Sequence, residues 1–552
     1  MKKRLKFQKS LAAICAATLT AGCLLVPVYA TEPAVMQIAE SEYVITSNGT
    51  YQLGAAPVLM TMRASTQTIQ GGSKITANGV YQLASNATGV ISVAKGVTDV
   101  TIIGNGADWE KNTNSNKYGT VYSTPNENLS IDCSAASGVT LTLKNAYISN
   151  SGVEHNLINF SGKNNTLIFD GTVILDHDNG ALGYASIRVP SGSSLNIKGT
   201  TDSHAYLYKS EQAAGIGGNT GEACGAITFG VKGGANDFYV FMKGSKQGAV
   251  IGNGSNCSAV PGNITFHSGV YNLLGVARGA IISGSAGVSS KDAGNVFVNG
   301  GLINMNVDYS GAAIGGGGYS SGNDKGGGAL YVSGGSIRTY IDSNAVGNWE
   351  SYGVTQAGVN DAAITAARLN GAGEDVFLLT VDTTGLSDSS FTIKVDGSTY
   401  YTGPRYSYCY YKEDVNRDTN GDGYADVSTT PNGTPGNWIA LNERCFYLYV
   451  TGEDHVVSVN GKAYQCTWNK TSQTFTMKEA ADVCYGDVTG DGKVNNIDAG
   501  RIYAYVNGKT ALNADQQLVA DVNGDGKITN LDASMIYAYQ NNKLSSFPVE
   551  QK

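Results

Sequence analysis

The sequence predicts a mainly β protein: a parallel β-helix solenoid, then a small antiparallel β domain, then a helical tail organised by two acidic loops. Three observations carry this. Glycine supplies 72 of 552 residues, Tyr outnumbers Phe by 32 to 13, and only 15% of residues are charged, a composition that suits turns and strands and excludes coiled coils and helical bundles. In the middle of the chain, short β-forming runs recur at a nearly fixed period. Near the C-terminus, two acidic stretches copy one another. The glycines have no G-X-Y period and only 10 prolines accompany them, so collagen is excluded; 41% apolar residues is too many for a disordered chain. A length of 552 residues exceeds what one core can organise and suits about three or four domains. The net charge of −8 leaves no basic footprint for nucleic acid.

Residues 1–30 read as a secretory signal peptide. Lys2, Lys3, Arg4 and Lys6 make a basic start, Leu11 to Val28 is mostly apolar and small, and Val28-Tyr29-Ala30 offers a cleavage site before Thr31. Lipid attachment at Cys23 is the alternative. No later segment reaches the ~18 consecutive apolar residues of a membrane span, so the mature chain is expected to be secreted, with no transmembrane segment. Of the cysteines beyond this stretch, Cys409, Cys445 and Cys466 could supply one disulfide; the wide spacings and the lack of C-x-x-C encode no further framework and no zinc site.

Residues 31–372 carry the solenoid signal. Val100-Thr-Ile-Ile, Val139 to Leu143, Thr166 to Phe169 and Leu195 to Ile197 are β-forming runs followed by Gly or Asn turns. The pattern then tightens: the motifs that start at Ala214, Ala249, Ala280 and Ala312 lie 35, 31 and 32 residues apart by subtraction. They alternate with runs at Ala226, Asn263, Asn295 and Ala329. Such a period signals stacked coils, in which each strand bonds the next and edges survive only at the two ends. The candidate chemistry is sparse. Asp170, Asp176, His177 and Asp178, with Arg188 in the following coil, form the densest polar group. Asp176 and Asp178 share a face if the segment is extended, which makes them the candidate acid and base of an enzyme, or solvated turn carboxylates. His155, His204 and His267 stand isolated. The Gly315 to Gly318 run precedes no Lys-Ser/Thr and no helix, so it reads as a corner and not as a phosphate loop.

Residues 373–482 switch to antiparallel β signals. Val376 to Val381, Phe391 to Val395 and Phe446 to Val450 are strands, and Asn460-Gly461 is a hairpin turn. Asp418, Asn420, Asp422 and Asp426 form a weaker metal loop, whose twelfth position is Thr429. Tyr400, Tyr401, Tyr406, Tyr408, Tyr410, Tyr411, Trp438 and Trp468 are either a sugar-stacking platform or core.

Residues 483–545 hold the most specific motif. Asp487, Thr489, Asp491, Asn495 and Asp498 occupy positions 1, 3, 5, 9 and 12 of one loop; Asp521, Asn523, Asp525, Thr529 and Asp532 occupy the same positions of a second, 34 residues later. Gly492 and Gly526 stand at position 6, where the turn is sharp, and Lys493 and Lys527 at position 7, where a loop offers its carbonyl. All these donors are oxygens, so Ca2+ is the expected cofactor and zinc or copper is disfavoured. Position 12 is Asp where an EF-hand has Glu, and Thr489 is a weaker ligand than Asn523. Each loop runs into a helix with the same face, Ala499 to Tyr505 and Ala533 to Tyr539. The expected unit is a loop followed by a helix, with no entering helix.

This tail resembles a type I dockerin, the calcium-dependent plug that binds cohesin domains of scaffoldins in cellulosome-like complexes. The resemblance implies partner contacts at loop positions 10 and 11, here Asn496, Ile497, Asn530 and Leu531. It also suggests that either copy could face the cohesin after a half-turn. The middle of the chain is similar in architecture to the pectate-lyase-like right-handed β-helix group, whose members bind or degrade polysaccharide. The Asp-Asp and Gly-His-Gly strings of its polygalacturonase-like members do not occur here. The expectation is a secreted subunit of a polysaccharide-degrading complex, attached at the cell surface through a scaffoldin, with a carbohydrate-binding β-helix. A glycoside hydrolase or polysaccharide lyase, and a structural or adhesive protein, are the alternatives.

Overall fold

The computed structural model describes residues 66–106, 125–150, 154–177, 183–209, 212–244, 246–275, 277–286, 293–318, 327–342, 345–404, 444–479 and 484–551, and the backbone of some short strands outside these ranges. The chain is mainly β with few helices. The signal-peptide reading of residues 1–30 falls outside the described residues, save the backbone of Val26–Tyr29.

Between residues 67 and 341 almost every strand pairs in parallel with the strand one repeat later. A nine-stranded sheet forms one face. Its spine is a column of isoleucines in register: Ile91, Ile131, Ile158, Ile187, Ile216, Ile251, Ile282 and Ile314, ending on an isolated bridge to Ile364. The first eight are fully buried. β-Branched side chains restrict χ1 and pack well on a pleated surface, so one residue type repeats at each rung. The position after the isoleucine shows why glycine is needed there. Gly217 and Gly252 sit at φ 143° and 144°, and a Cβ on Gly217 would lie 1.9 Å from the Gly252 carbonyl oxygen. Ser283 takes the same place at φ 100°, where its Oγ accepts the Gly294 N–H at 2.8 Å and donates to the Gly294 carbonyl at 3.4 Å.

The other parallel strands form a sixteen-stranded sheet that branches. Long strands such as Asn165–His177 and Val296–Val307 pair through their first halves with one row of neighbours and through their second halves with another. Three rows of parallel strands thus surround one apolar core, in which Leu141, Leu167, Ile197, Phe229 and Phe266 stack rung upon rung. Phe229 and Phe266 stack at 4.8 Å, with Tyr271 edge-on to both.

Beyond residue 375 the pairing turns antiparallel. Val376–Asp382 pairs Cys445–Thr451, and Ser390–Val395 sits in a five-stranded sheet with Ser398–Pro404, His455–Val459, Lys462–Asn469 and Thr474–Glu479. Asn460 and Gly461 turn the hairpin with φ of 51° and 85°, the doubly positive geometry that Asn-Gly favours. Phe391, Ile393, Phe446 and Leu448 form a core that also takes in Val270 and Leu302 of the parallel region. The Tyr447 N–H donates to Ser336 Oγ at 2.9 Å, and Asn236 Nδ2 to the Thr402 carbonyl at 2.9 Å. This part of the outward face of the parallel strands is therefore covered.

Cys466 and Cys484 are free thiols, so Cys445 and Cys466 are not joined to each other; the Cys409 side chain lies outside the described residues. Burial pushes the Cys466 thiol up to about 12, with Asp396 adding to it. Tyr401 is 2% exposed and belongs to the core, Tyr400 is half-buried, and Trp468 lies between Phe377 and Phe475, tilted by 44° at 4.6 Å from each. The side chains of Tyr406, Tyr408, Tyr410, Tyr411 and Trp438 lie outside the described residues.

The tail holds three helices: α1 (Asn496–Val506), α2 (Ala514–Ala520) and α3 (Asn530–Gln540). Helix α2 corrects the expectation of a loop and helix alone, because it leads straight into Asp521 of the second loop. Leu512 and Ala520 anchor it in the core, and its Asn513 and Gln516 form a capping box, a local stop-and-start signal of the N-x-x-Q type. No helix among the described residues is long and apolar enough to cross a membrane.

Candidate calcium loops and partner surface

Each acidic loop is wound around its first aspartate. Asp487 accepts N–H groups of Gly490, Asp491 and Gly492 at 2.8, 3.1 and 2.7 Å. Asp521 does the same with Gly524, Asp525 and Gly526 at 2.8, 3.2 and 2.8 Å. The glycines hold φ between 67° and 80°, which lets consecutive N–H groups point inward.

The last loop residue has two roles. Asp498 and Asp532 are fully buried and stand at the third position of α1 and α3. One carboxylate oxygen closes the capping box on the backbone N–H of Asn495 or Thr529, each at 2.9 Å. The other reaches back to the loop start, where Asp498 accepts both the N–H and the hydroxyl of Thr489 at 2.8 Å. An Asp suffices because the helix begins within the loop. Each loop is thus fastened to the helix that follows it. Burial holds the Asp521 carboxyl above the usual range, and Asp532 adds to this, against the N–H donors of Gly526, Asp525 and Gly524.

Among the described residues no group of three or more His, Cys, Asp or Glu converges as a metal centre, since the carboxylates turn to backbone donors and the other positions are Thr and Asn. The donor set still fits a hard cation: carboxylates of Asp487, Asp491 and Asp498, the Thr489 hydroxyl, the Asn495 amide and the Lys493 carbonyl, with Asp521, Asn523, Asp525, Lys527, Thr529 and Asp532 in the second loop. Calcium bound there would neutralise the clustered carboxylates of each loop, which outnumber its single lysine.

The tail buries one face of each helix and leaves another bare. Val488, Ala499 and Ile502 pack against their counterparts Val522, Ala533 and Ile536. Ile497 and Leu531 are 66% and 53% exposed, and Tyr503 and Tyr537 are 57% and 56% exposed, again 34 residues apart. Asn496 and Asn530 are exposed beside them. Large apolar side chains displayed twice in equivalent places mark an interaction surface.

The other candidates do not assemble. Asp176 is half-buried and accepts the Tyr147 hydroxyl at 3.4 Å, whereas His177 is fully buried on the opposite side of the strand. Asp170 is paired with Lys144 at 2.7 Å. Arg188 lies in the nine-stranded sheet, where it grips Glu222 through two bonds of 2.9 and 2.7 Å. His155 is exposed; burial lowers the pKa of His204, which stacks on Tyr239 at 4.7 Å, and of His267. Asp178 and the loop of Asp418, Asn420, Asp422 and Asp426 lie outside the described residues. Sequence reasoning missed Arg368 and Phe377, which border a cavity and carry no motif.

No curated protein and no solved structure matches the chain. Residues 485–541 match the Dockerin type I domain family, and the twin-loop tail that displays Ile497 and Leu531 is a dockerin type I domain.

Proposed function

We propose that this chain is an exported subunit of a cellulosome-like complex. Its dockerin, folded around calcium, grips a cohesin of a scaffoldin, and the parallel region, a right-handed β-helix solenoid, holds polysaccharide. The observation that carries the reading is the twofold display of Ile497 with Tyr503 and of Leu531 with Tyr537 beside oxygen-lined loops. The in-register stacking of repeats about 30 residues long supports the solenoid. Binding is favoured over cleavage because Asp170 and Arg188 are committed to ion pairs and do not meet Asp176.

Calorimetric titration of the full chain with scaffoldin cohesins tests the attachment. Binding is expected in calcium and lost in EDTA. Ile497→Asp or Leu531→Asp alone is expected to leave binding within a few-fold, and both together to abolish it. Retention of binding by the double variant, or indifference to EDTA, would overturn the assignment.

A further inference from the structure

At the last rung of the parallel stack a cavity of about 560 Å³ opens to solvent, bordered by Tyr352, Arg368, Asp375, Phe377 and Gln473. Ile364, where the isoleucine column ends, and Ala366 and Val376 make its apolar floor. Its volume lies within the roughly 300–1,000 Å³ of small-molecule sites.

The lining is divided in a way that matches one chemistry. Phe377 and Tyr352 offer aromatic surface; Phe377 is held by its contact with Trp468 at 4.6 Å, and Tyr352 by Trp349 at 5.3 Å. Arg368 is fixed by its ion pair with Asp361 and by the buried Tyr449 hydroxyl. Asp375 is exposed at the mouth. Gln473 sits at φ 54°, a left-handed conformation uncommon for its residue type. The Asn469 side chain, accepting the Thr471 and Ser472 N–H groups at 3.0 and 3.1 Å, fixes the turn just before it. Donors and acceptors thus share a pocket with two aromatic residues, which is how a sugar's hydroxyl edge and C–H face are both met. Charge then narrows the ligand. The Arg368 cation is answered by Asp361, and Asp375 has no cation opposite it among the lining residues, so a uronate carboxylate would meet an excess of negative charge.

We infer that this cavity is a binding subsite for a neutral oligosaccharide, with Phe377 and Tyr352 as stacking surfaces and Arg368, Asp375 and Gln473 reading hydroxyls. The inference rests on the proposal that the chain holds polysaccharide, and places that contact at the junction with the antiparallel domain. The test is calorimetric titration of the full chain in calcium with cellotetraose, xylotetraose, maltotetraose and tetragalacturonate. At least one neutral tetramer is expected to bind more tightly than tetragalacturonate. Asp375→Ala and Gln473→Ala, both on exposed side chains, and Phe377→Ala are each expected to weaken that binding by about tenfold or more, with cohesin binding unchanged. A tighter complex with tetragalacturonate, or wild-type affinity in all three variants, would place the sugar elsewhere and overturn the subsite. Absence of binding to every tetramer would overturn the polysaccharide reading itself.

Discussion

His455 shows how its neighbours can favour one protonation state of a side chain. It is 3% exposed, with Nδ1 facing Asp396 Oδ2 at 2.6 Å and Nε2 facing the Thr451 carbonyl oxygen at 3.0 Å. Both neighbours are acceptors, and only the imidazolium donates from both nitrogens. Burial lowers its pKa, but the bonds to Asp396 and Thr451 and the charges of Asp396 and Glu453 outweigh burial, so the net shift is upward. A raised folded pKa means that the stabilisation is complete below the unfolded value of about 6.5 and drains as pH rises through the folded value. Thermal unfolding measured from about pH 5.5 to about 8.5 should therefore show the Tm falling across the upper part of that range. Asp396→Asn should flatten the fall. An unchanged slope in Asp396→Asn would show that another group is responsible.

At the scale of the element, the isoleucine column is the part that tolerates least. Ile251 is fully buried and packs between Ile216 and Ile282 on either side. Truncation leaves a cavity that both neighbours line, and Ile251→Ala is expected to cost about 3 kcal/mol, measured by denaturant unfolding. Val260→Ala, at a residue 60% exposed, should cost well under 1 kcal/mol; equal costs would show that the column does not bear the load. This element also shows what the chain discloses. The rungs at Ile216, Ile251, Ile282 and Ile314 are legible because Gly or Ser follows each of them and the coil length barely varies. Ile91, Ile131, Ile158 and Ile187 belong to the same column, yet Ser, Asp, Asn and Arg follow them in turn and their loops differ in length, so the period blurs. The calcium loops are legible because ligand chemistry fixes their spacing. Helix α2 has only seven residues, too few for an apolar period, and its position becomes evident only once Leu512 and Ala520 are seen in the core. The cavity at Phe377 is illegible in sequence because the segment 352–377 forms it only once folding packs its residues around a shared space and brings in Gln473, 96 residues further along by subtraction.

For the whole molecule, shared cores decide which parts unfold together. The large parallel core includes Val376 and Tyr449 of the antiparallel domain, and the antiparallel core includes Val270 and Leu302 of the parallel strands. Loosening either removes packing from the other, so these two parts form one cooperative unit despite their different sheet types. The dockerin has a core of its own, drawn from residues Tyr485 to Val549, although its α2 touches the strand His455–Val459. Its helices are short, and a domain of this size rarely supplies enough apolar burial without a metal or another staple. Calcium, which type I dockerins typically bind, would add stability as RT ln(1 + [Ca2+]/Kd), and EDTA would withdraw it from this domain. Calorimetry of the full chain should accordingly show two transitions in calcium. Addition of EDTA should shift the dockerin transition down by ten degrees or more, as a loss of a few kcal/mol from a domain of about 60 residues requires, and leave the larger transition within about two degrees. The far-UV CD change of the first step should be helical, since α1, α2 and α3 hold most of the helix in the described chain. A single transition that moves as a whole with EDTA would mean that the dockerin is welded to the β region, and the view of a plug carried on an independent scaffold would have to be given up.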